Sequence, residues 1–170
     1  MRSALIIEDD STSSKVLSLI LERNGYRVLS AANSDEASGF CSDIKIDLIV
    51  ADIILRSALS GTDVACQLRQ FCPEIPILFV SGTPLEGWSD RDLSNVEQLL
   101  PGQVGFLMKP FTAADLVSAI NNLMEGGNSV TGISGEVESA RKLRQFRAES
   151  SPYESRAAEE RLRCARRTYP

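Results

Sequence analysis

Ala4-Leu5-Ile6-Ile7-Glu8-Asp9-Asp10 sets an unbroken apolar run directly against three acids. The pattern returns in Leu48-Ile49-Val50-Ala51-Asp52, in Ile77-Leu78-Phe79-Val80-Ser81-Gly82 and in Val104-Gly105-Phe106-Leu107-Met108-Lys109-Pro110. Short apolar runs separated by helix-length stretches predict parallel strands buried on both faces. Sites in such sheets lie outside the carboxyl ends of the strands, where Glu8, Asp9, Asp52, Ser81 and Lys109 fall. Two carboxylates about 4 Å apart repel by about 4 kcal/mol even at an effective dielectric near 20. Three in one pocket therefore call for a cation. Carboxylates, a hydroxyl and an ammonium gathered together suit a divalent metal and a phosphoryl group.

The intervening stretches read as helices. Ser11 or Thr12 to Asn24 carries Val16, Leu17, Ile20 and Leu21 as its inward positions, with Gly25 as its stop. Tyr26–Ala31 is a short strand, and Asn33-Ser34-Asp35-Glu36 begins a polar helix reaching about Cys41. Gly61-Thr62-Asp63 opens a helix with Val64, Ala65, Leu68 and Phe71 inward, closed by Pro73. Residues 82–102 are the least legible part: Pro84 and Gly87 favour a long loop, and Asp90–Leu100 a helix. Thr112-Ala113-Ala114-Asp115 resembles a capping box, followed by an apolar stripe of Leu116, Val117, Ile120, Leu123 and Met124. Five strands alternating with about five helices predict a doubly wound α/β domain over residues 2–126. Residues 127–170, rich in Gly, Ser, Glu and Arg, are expected to be mostly disordered, with a short helix over 152–168 as the candidate exception.

Bulk properties narrow the chemistry. The 170 residues carry 18 Lys and Arg against 23 Asp and Glu, a net charge of −5. Residues 1–135 hold 9 basic against 17 acidic side chains, whereas 136–170 hold 9 against 6. The acidic folded part gives no general reason to bind nucleic acid. With no histidine, the chain has no Ser-His-Asp or Cys-His arrangement and no phosphohistidine acceptor. Cys41, Cys66, Cys72 and Cys164 form no CxxC pair, so reduced thiols in or near a core are expected instead of a zinc site. No apolar run approaches the ~20 residues of a membrane span. The acids at 8–10 come too early for a signal peptide, and a cytoplasmic location is expected.

Glu8-Asp9-Asp10, Asp52, Ser81-Gly82 and Lys109-Pro110-Phe111, each at the end of its strand and in this order, resemble the receiver domain of two-component response regulators. The resemblance covers about three quarters of the chain. It implies a strand order of 2-1-3-4-5 with helices on both faces. Asp52 would be the phosphoacceptor, supplied by a sensor histidine kinase, a histidine phosphotransfer protein or a small phosphodonor. Glu8 and Asp9 would hold Mg²⁺, Asp9 directly and Glu8 through water, with Asp52 and the Ile54 carbonyl as further ligands. Ser81 would meet the phosphoryl group, Lys109 would pair with it, and Phe106 would be the switch aromatic. A cis Lys109-Pro110 peptide is implied too, as is a candidate homodimer through the face formed by the fourth helix and the fifth strand and helix. Asp10 reads better as a helix-capping carboxylate than as a ligand. Trp88 reads as a lid or partner-surface residue.

Some positions depart from the family pattern. Arg56 stands where receivers often have proline, Gly61 comes one residue late, and the span from Ser81 to Lys109 is several residues longer than usual. Thr83 and Ile54 flank the site where residues govern access of hydrolytic water; Ile54 is apolar and should not orient that water, so slow self-dephosphorylation is expected. The 45 or so residues after the last helix are too few and too polar for a winged-helix output domain. The leading expectation is a stand-alone phosphorylation-switched module whose only chemistry is its own phosphotransfer and hydrolysis. A phosphorelay intermediate and a degenerate, phosphorylation-independent receiver are the nearest alternatives. An aspartate-nucleophile phosphatase would need an acid where Ile54 stands. A flavodoxin-like redox protein would need a Ser/Thr/Gly-rich phosphate loop where Glu8-Asp9-Asp10 stands. A DNA-binding tail is disfavoured by its six glutamates.

Overall fold

Alternation along three strands builds the core. In the computed structural model, which describes residues 1–100, 103–125 and 137–142, the central strands are β1 (Arg2–Ile7), β3 (Leu48–Asp52) and β4 (Ile77–Ser81). Leu5, Ile7, Ile49, Ala51, Ile77 and Phe79 point into one apolar cluster. Their neighbours Ala4, Ile6, Leu48, Val50, Leu78 and Val80 point into a second. A strand that buries both rows of side chains must have helices on both sides. The first cluster is completed by α2 (Ser34–Asp43), α3 (Gly61–Arg69) and α4 (Asp90–Leu99), the second by α1 (Ser11–Arg23) and α5 (Ala113–Met124). With β2 (Tyr26–Ala31) and β5 (Val104–Met108) at the edges, the all-parallel sheet runs β2-β1-β3-β4-β5. The expected fold class and strand order hold.

Local chemistry sets the helix boundaries. Asp10 caps α1 by accepting from the Ser13 amide at 2.8 Å. Gly25 follows at φ +84°, a left-handed conformation that side chains resist. Ser60 with Asp63 and Thr112 with Asp115 form reciprocal capping boxes at α3 and α5. Asn33 and Ser89 cap α2 and α4. Leu17 and Leu21 fasten α1, each stabilising by roughly 2 kcal/mol on burial.

Three expectations need correction. Val16 is half exposed, because α1 is held by the narrower Leu17–Leu21 stripe. Phe71 lies beyond the end of α3, which stops at Arg69, and is exposed. Trp88 is 4% exposed and is a core residue: the chain after β4 makes a 3₁₀ turn at Leu85–Gly87 that folds the indole inward. Residues 137–142, within the stretch expected to be mostly disordered, form a short helix with Val137 and Ala140 buried. The candidate helix at 152–168 lies outside the described residues, as does Cys164. Cys41, Cys66 and Cys72 are free thiols packed beside the core.

Candidate functional site

Parallel pairing places the chemistry along one edge of the sheet. Glu8 follows β1, Asp52 and Ser81 are the last residues of β3 and β4, and Lys109 follows β5. Pairing continues past the strands: the Glu8 amide donates to Ala31 O at 3.1 Å, and the Lys109 amide to Ser81 O at 2.8 Å. The Lys109-Pro110 peptide is cis, as the resemblance implied.

At this edge the Lys109 ammonium bridges two buried carboxylates, 2.6 Å from Asp52 Oδ2 and 3.2 Å from Glu8 Oε2. Burial raises the pKa of Glu8 above the ordinary carboxylate value. The Asp10 amide, donating to Glu8 Oε1 at 3.0 Å, opposes that rise, and the charge on Asp52 adds to it. Burial works against the charged form of Lys109, yet its ion pairs outweigh this and its pKa is raised. A salt-bridged ammonium therefore sits inside an acidic pocket at any physiological pH. Asp52 Oδ1 accepts from the Ile54 amide at 2.9 Å, leaving the carboxylate held from two sides.

Asp9 is oriented differently. Its Oδ2 accepts from the Arg56 amide at 2.6 Å, which ties the loop after β3 to the loop after β1. A proline at 56 would have no such donor, so this departure from the family pattern has a structural use. The Arg56 guanidinium is 3.9 Å from Asp10. Asp10 also keeps its capping role, its pKa lowered chiefly by the Ser13 amide.

Ser81 and Trp88 share one acceptor. Ser81 Oγ and Trp88 Nε1 each donate to Thr83 O at 2.8 Å. Phe106 is half-buried; its ring stacks on Phe79 with centroids 5.8 Å apart and meets the Trp88 ring edge-on at 5.1 Å. The hydroxyl at the pocket and the aromatic cluster beneath α4 are thus linked through one carbonyl. Thr83 was read as a residue flanking the site; its carbonyl as a shared acceptor was not readable from the sequence. Trp88 was noticed, but its folding inward was not readable from one loop residue.

Gly61 makes the closest backbone approach. Its amide donates to Ile53 O at 3.0 Å, and a Cβ there would lie 1.8 Å from the Asp52 carbonyl oxygen. Behind it, α3 and α4 meet through polar groups. Asp92 accepts from Ser60 Oγ and Thr62 Oγ1 at 2.6 Å each and from Ser89 Oγ. Asn95 donates to Thr62 and Asp63, and Arg91 pairs with Asp63 at 2.8 Å. Burial opposes ionisation of Asp92, but the three hydroxyls prevail and its pKa is lowered.

A family model described as the response regulator receiver domain matches residues 4–121. The chain belongs to that family. Among curated proteins, this receiver is 29% identical over 123 residues to the Bacillus subtilis alkaline phosphatase synthesis transcriptional regulatory protein PhoP, covering 72% of this chain and 48% of the relative. It is 31% identical over 122 residues to the probable transcriptional regulator ycf29 of Porphyra purpurea, covering 71% and 55%. The chain spans about half the length of these relatives. Among solved structures, a response regulator receiver domain protein from Clostridium thermocellum superposes with a TM-score of 0.60 at 28% identity, over 74% of this chain and 95% of that one. A CheY-like receiver from Methanospirillum hungatei, at 23% identity and a TM-score of 0.64 over 75% and 96%, matches in fold.

The donor set suits a hard divalent cation. The edge offers the carboxylate oxygens of Glu8 and Asp52, with Asp9 in the adjoining loop held by the Arg56 amide, and oxygen ligands are the preference of Mg²⁺, which keeps several waters. Among the described residues no three acidic, imidazole or thiol ligands stand close enough to hold a metal by themselves. Among the described residues, no helix is long and apolar enough to cross a membrane.

Proposed function

We propose that this receiver accepts a phosphoryl group on Asp52 from a phosphohistidine of a sensor kinase or a histidine phosphotransfer protein, and that its own phosphotransfer and dephosphorylation are its only chemistry. The observation that carries the reading is the Lys109 ammonium set between the buried Asp52 and Glu8 carboxylates at the carboxyl edge of a receiver sheet. An Asp52 oxygen attacks phosphorus in line. The phosphorus–nitrogen bond breaks, its electron pair stays on the imidazole, and an aspartyl phosphate forms. Such transfers depend on positioning and charge neutralisation more than on covalent help from the protein.

Mg²⁺ would be held by Asp9, Asp52 and the Ile54 carbonyl, with Glu8 acting through water, and would neutralise charge on the transferring oxygens. Lys109 neutralises a further oxygen, moving its ammonium from Asp52 to the new phosphoryl group. Ser81 is placed to turn its hydroxyl from Thr83 O to that group. Ile54, 62% exposed and apolar, offers no group to orient a water, which supports a slow return to free Asp52 and inorganic phosphate. A cytoplasmic location follows from exchange with a kinase of that kind. The output is a protein partner or a second copy of the receiver.

The test is intact-mass measurement after incubation with phosphoramidate and Mg²⁺. We expect one added phosphoryl group in the wild type and none in Asp52→Asn or when Mg²⁺ is chelated. Equal labelling of Asp52→Asn would refute the assignment.

A further inference from the structure

The short helix at 137–142 is seated beside the structures that surround Ser81. Val137 joins the apolar cluster containing Trp88, Leu93, Val96 and Val104, and Ala140 is also buried. Arg141 reaches α4, donating to Ser94 Oγ at 2.8 Å and pairing with Glu97 at 3.1 Å. Ser139 forms part of the wall of a cavity of about 700 Å³ whose other walls include Ser81, Thr83, Trp88 and Phe106. One side of this helix is therefore docked on α4 and β5, and the same cavity wall contains Ser81, the last residue of β4, the strand paired with β3.

We propose that residues 137–142 are an intramolecular ligand of the α4–β5 face, seated there while Asp52 is unmodified and released when it carries a phosphoryl group, which opens that face to a partner. The linkage rests on the phosphoacceptor reading above; the docking does not. Among the described residues, two buried side chains, one side-chain hydrogen bond and one exposed ion pair make a weak contact, and only eleven residues separate Glu125 from Val137. A short tether gives such a contact a high effective concentration, so it persists in the resting state yet yields readily. Release has a defined route. When the Ser81 hydroxyl turns to a phosphoryl oxygen, Thr83 O keeps only the Trp88 donor. The 83–88 segment and the Trp88–Phe106 contact then readjust, and the cavity gives Phe106 room to move inward. The surface against which Val137 and Ala140 pack changes shape.

The test is amide hydrogen exchange of the full chain, read by mass spectrometry over residues 137–142, with and without phosphoramidate and Mg²⁺. Intact mass is taken on the same samples. Val137→Asp removes the apolar anchor, and Arg141→Glu, a surface change, turns the Glu97 pair into a repulsion. In the unmodified wild type we expect exchange at 137–142 about tenfold slower than in either variant, as for a locally protected segment. In the phosphorylated wild type we expect it to match the variants. Equally fast exchange in all three unmodified chains would overturn the docking. A phosphoryl group on the intact chain with unchanged protection would overturn the linkage alone. No added mass would overturn the phosphoacceptor reading, and the linkage with it, while the docking is still judged by comparing unmodified wild type with the variants.

Discussion

Replacing Gly61 with alanine places one methyl group against the carbonyl of the phosphoacceptor. The new Cβ would sit 1.8 Å from Asp52 O, 2.8 Å from Asp52 C and 3.3 Å from Ile53 Cα. All three are backbone atoms, and carbon meets its neighbours at roughly 3.5 Å. The start of α3 must therefore retreat by more than an ångström, stretching the 3.0 Å bond from Gly61 N to Ile53 O and straining the Ser60–Asp63 box. Overpacking of this kind costs about 1–3 kcal/mol, and the rigid partners place Gly61→Ala near the top of that range. For a domain of this size the loss lowers the melting temperature by roughly 10 °C. Gly39→Ala is the matched control: Gly39 lies inside α2 with no atom within 4 Å of the added Cβ. There the better helix propensity of alanine should stabilise by about 0.5–1 kcal/mol. The assay is urea unfolding followed by Trp88 fluorescence and circular dichroism, with phosphoramidate labelling rates on the same variants. Gly61→Ala as stable as the wild type would refute the close approach, and normal labelling kinetics would show that Asp52 does not feel it.

Three further substitutions test other parts of the molecule, and one thiol tests burial away from the site. Lys109→Met leaves Glu8 and Asp52 without their ammonium, and should lower stability by about 1–2 kcal/mol, less than a fully buried pair because Lys109 is part-exposed; added Mg²⁺ should recover some of it in urea titrations. Glu8, whose pKa is raised above 4.5, keeps its proton to a higher pH in the folded chain than in the unfolded one, which opens a window between the two values. Its contribution to stability should thus decline as pH rises through that window, so Glu8→Gln gains on the wild type toward neutral pH without Mg²⁺; a gap that is flat with pH would argue against the burial. Asp92 has the opposite sign: its contribution is complete above 3.8 and fades as pH falls through its lowered value. Asp92→Ala should therefore cost about 1–2 kcal/mol at neutral pH and little in acid, as thermal melts across pH would reveal. Cys41, pushed up to about 11 by burial and by Cys72, should alkylate slowly with iodoacetamide at mildly alkaline pH, and rapid labelling would show that the thiol is open to solvent.

The sheet and the site were legible because their signals are of different kinds that fall together. Unbroken apolar runs marked β1, β3 and β4, and a charged or hydroxyl residue at the end of each marked the working edge. Capping residues fixed several helix starts; Asp10 and Thr112 were read from the sequence alone. Side-chain direction was less legible. Val16 fits a helical stripe in periodicity, but a helix of 13 residues buries only as much of its stripe as its neighbours can cover, and Phe71 continues the period of α3 past Arg69, where that helix ends. Trp88 sits in a stretch with no period at all, and only the tertiary pocket beside Phe79 and Phe106 gives it a place. The bond from Arg56 N to Asp9 is invisible to sequence reasoning because a backbone amide has no letter of its own. The helix at 137–142 escaped for a related reason: its few apolar residues gain by docking, and propensity alone does not report a dock.

The alternation of side chains along β1, β3 and β4 bears on which insertions and deletions this molecule can survive. Each strand end delivers its working residue to one particular side of the sheet, and the side is fixed by whether the count from the strand start is odd or even. Removing one residue inside Leu48–Ala51 would leave Asp52 at the rim but reverse its side, turning it from Lys109 toward the α3 layer while driving apolar side chains the wrong way. Adding residues after Ser81, by contrast, shifts no parity and displaces no strand. Length can therefore drift in the segment between β4 and α4, while inside the strands even a single step is forbidden. Variation between relatives should accumulate in whole segments at the loops and be nearly absent, as gaps, from the fifteen or so positions that set the edge.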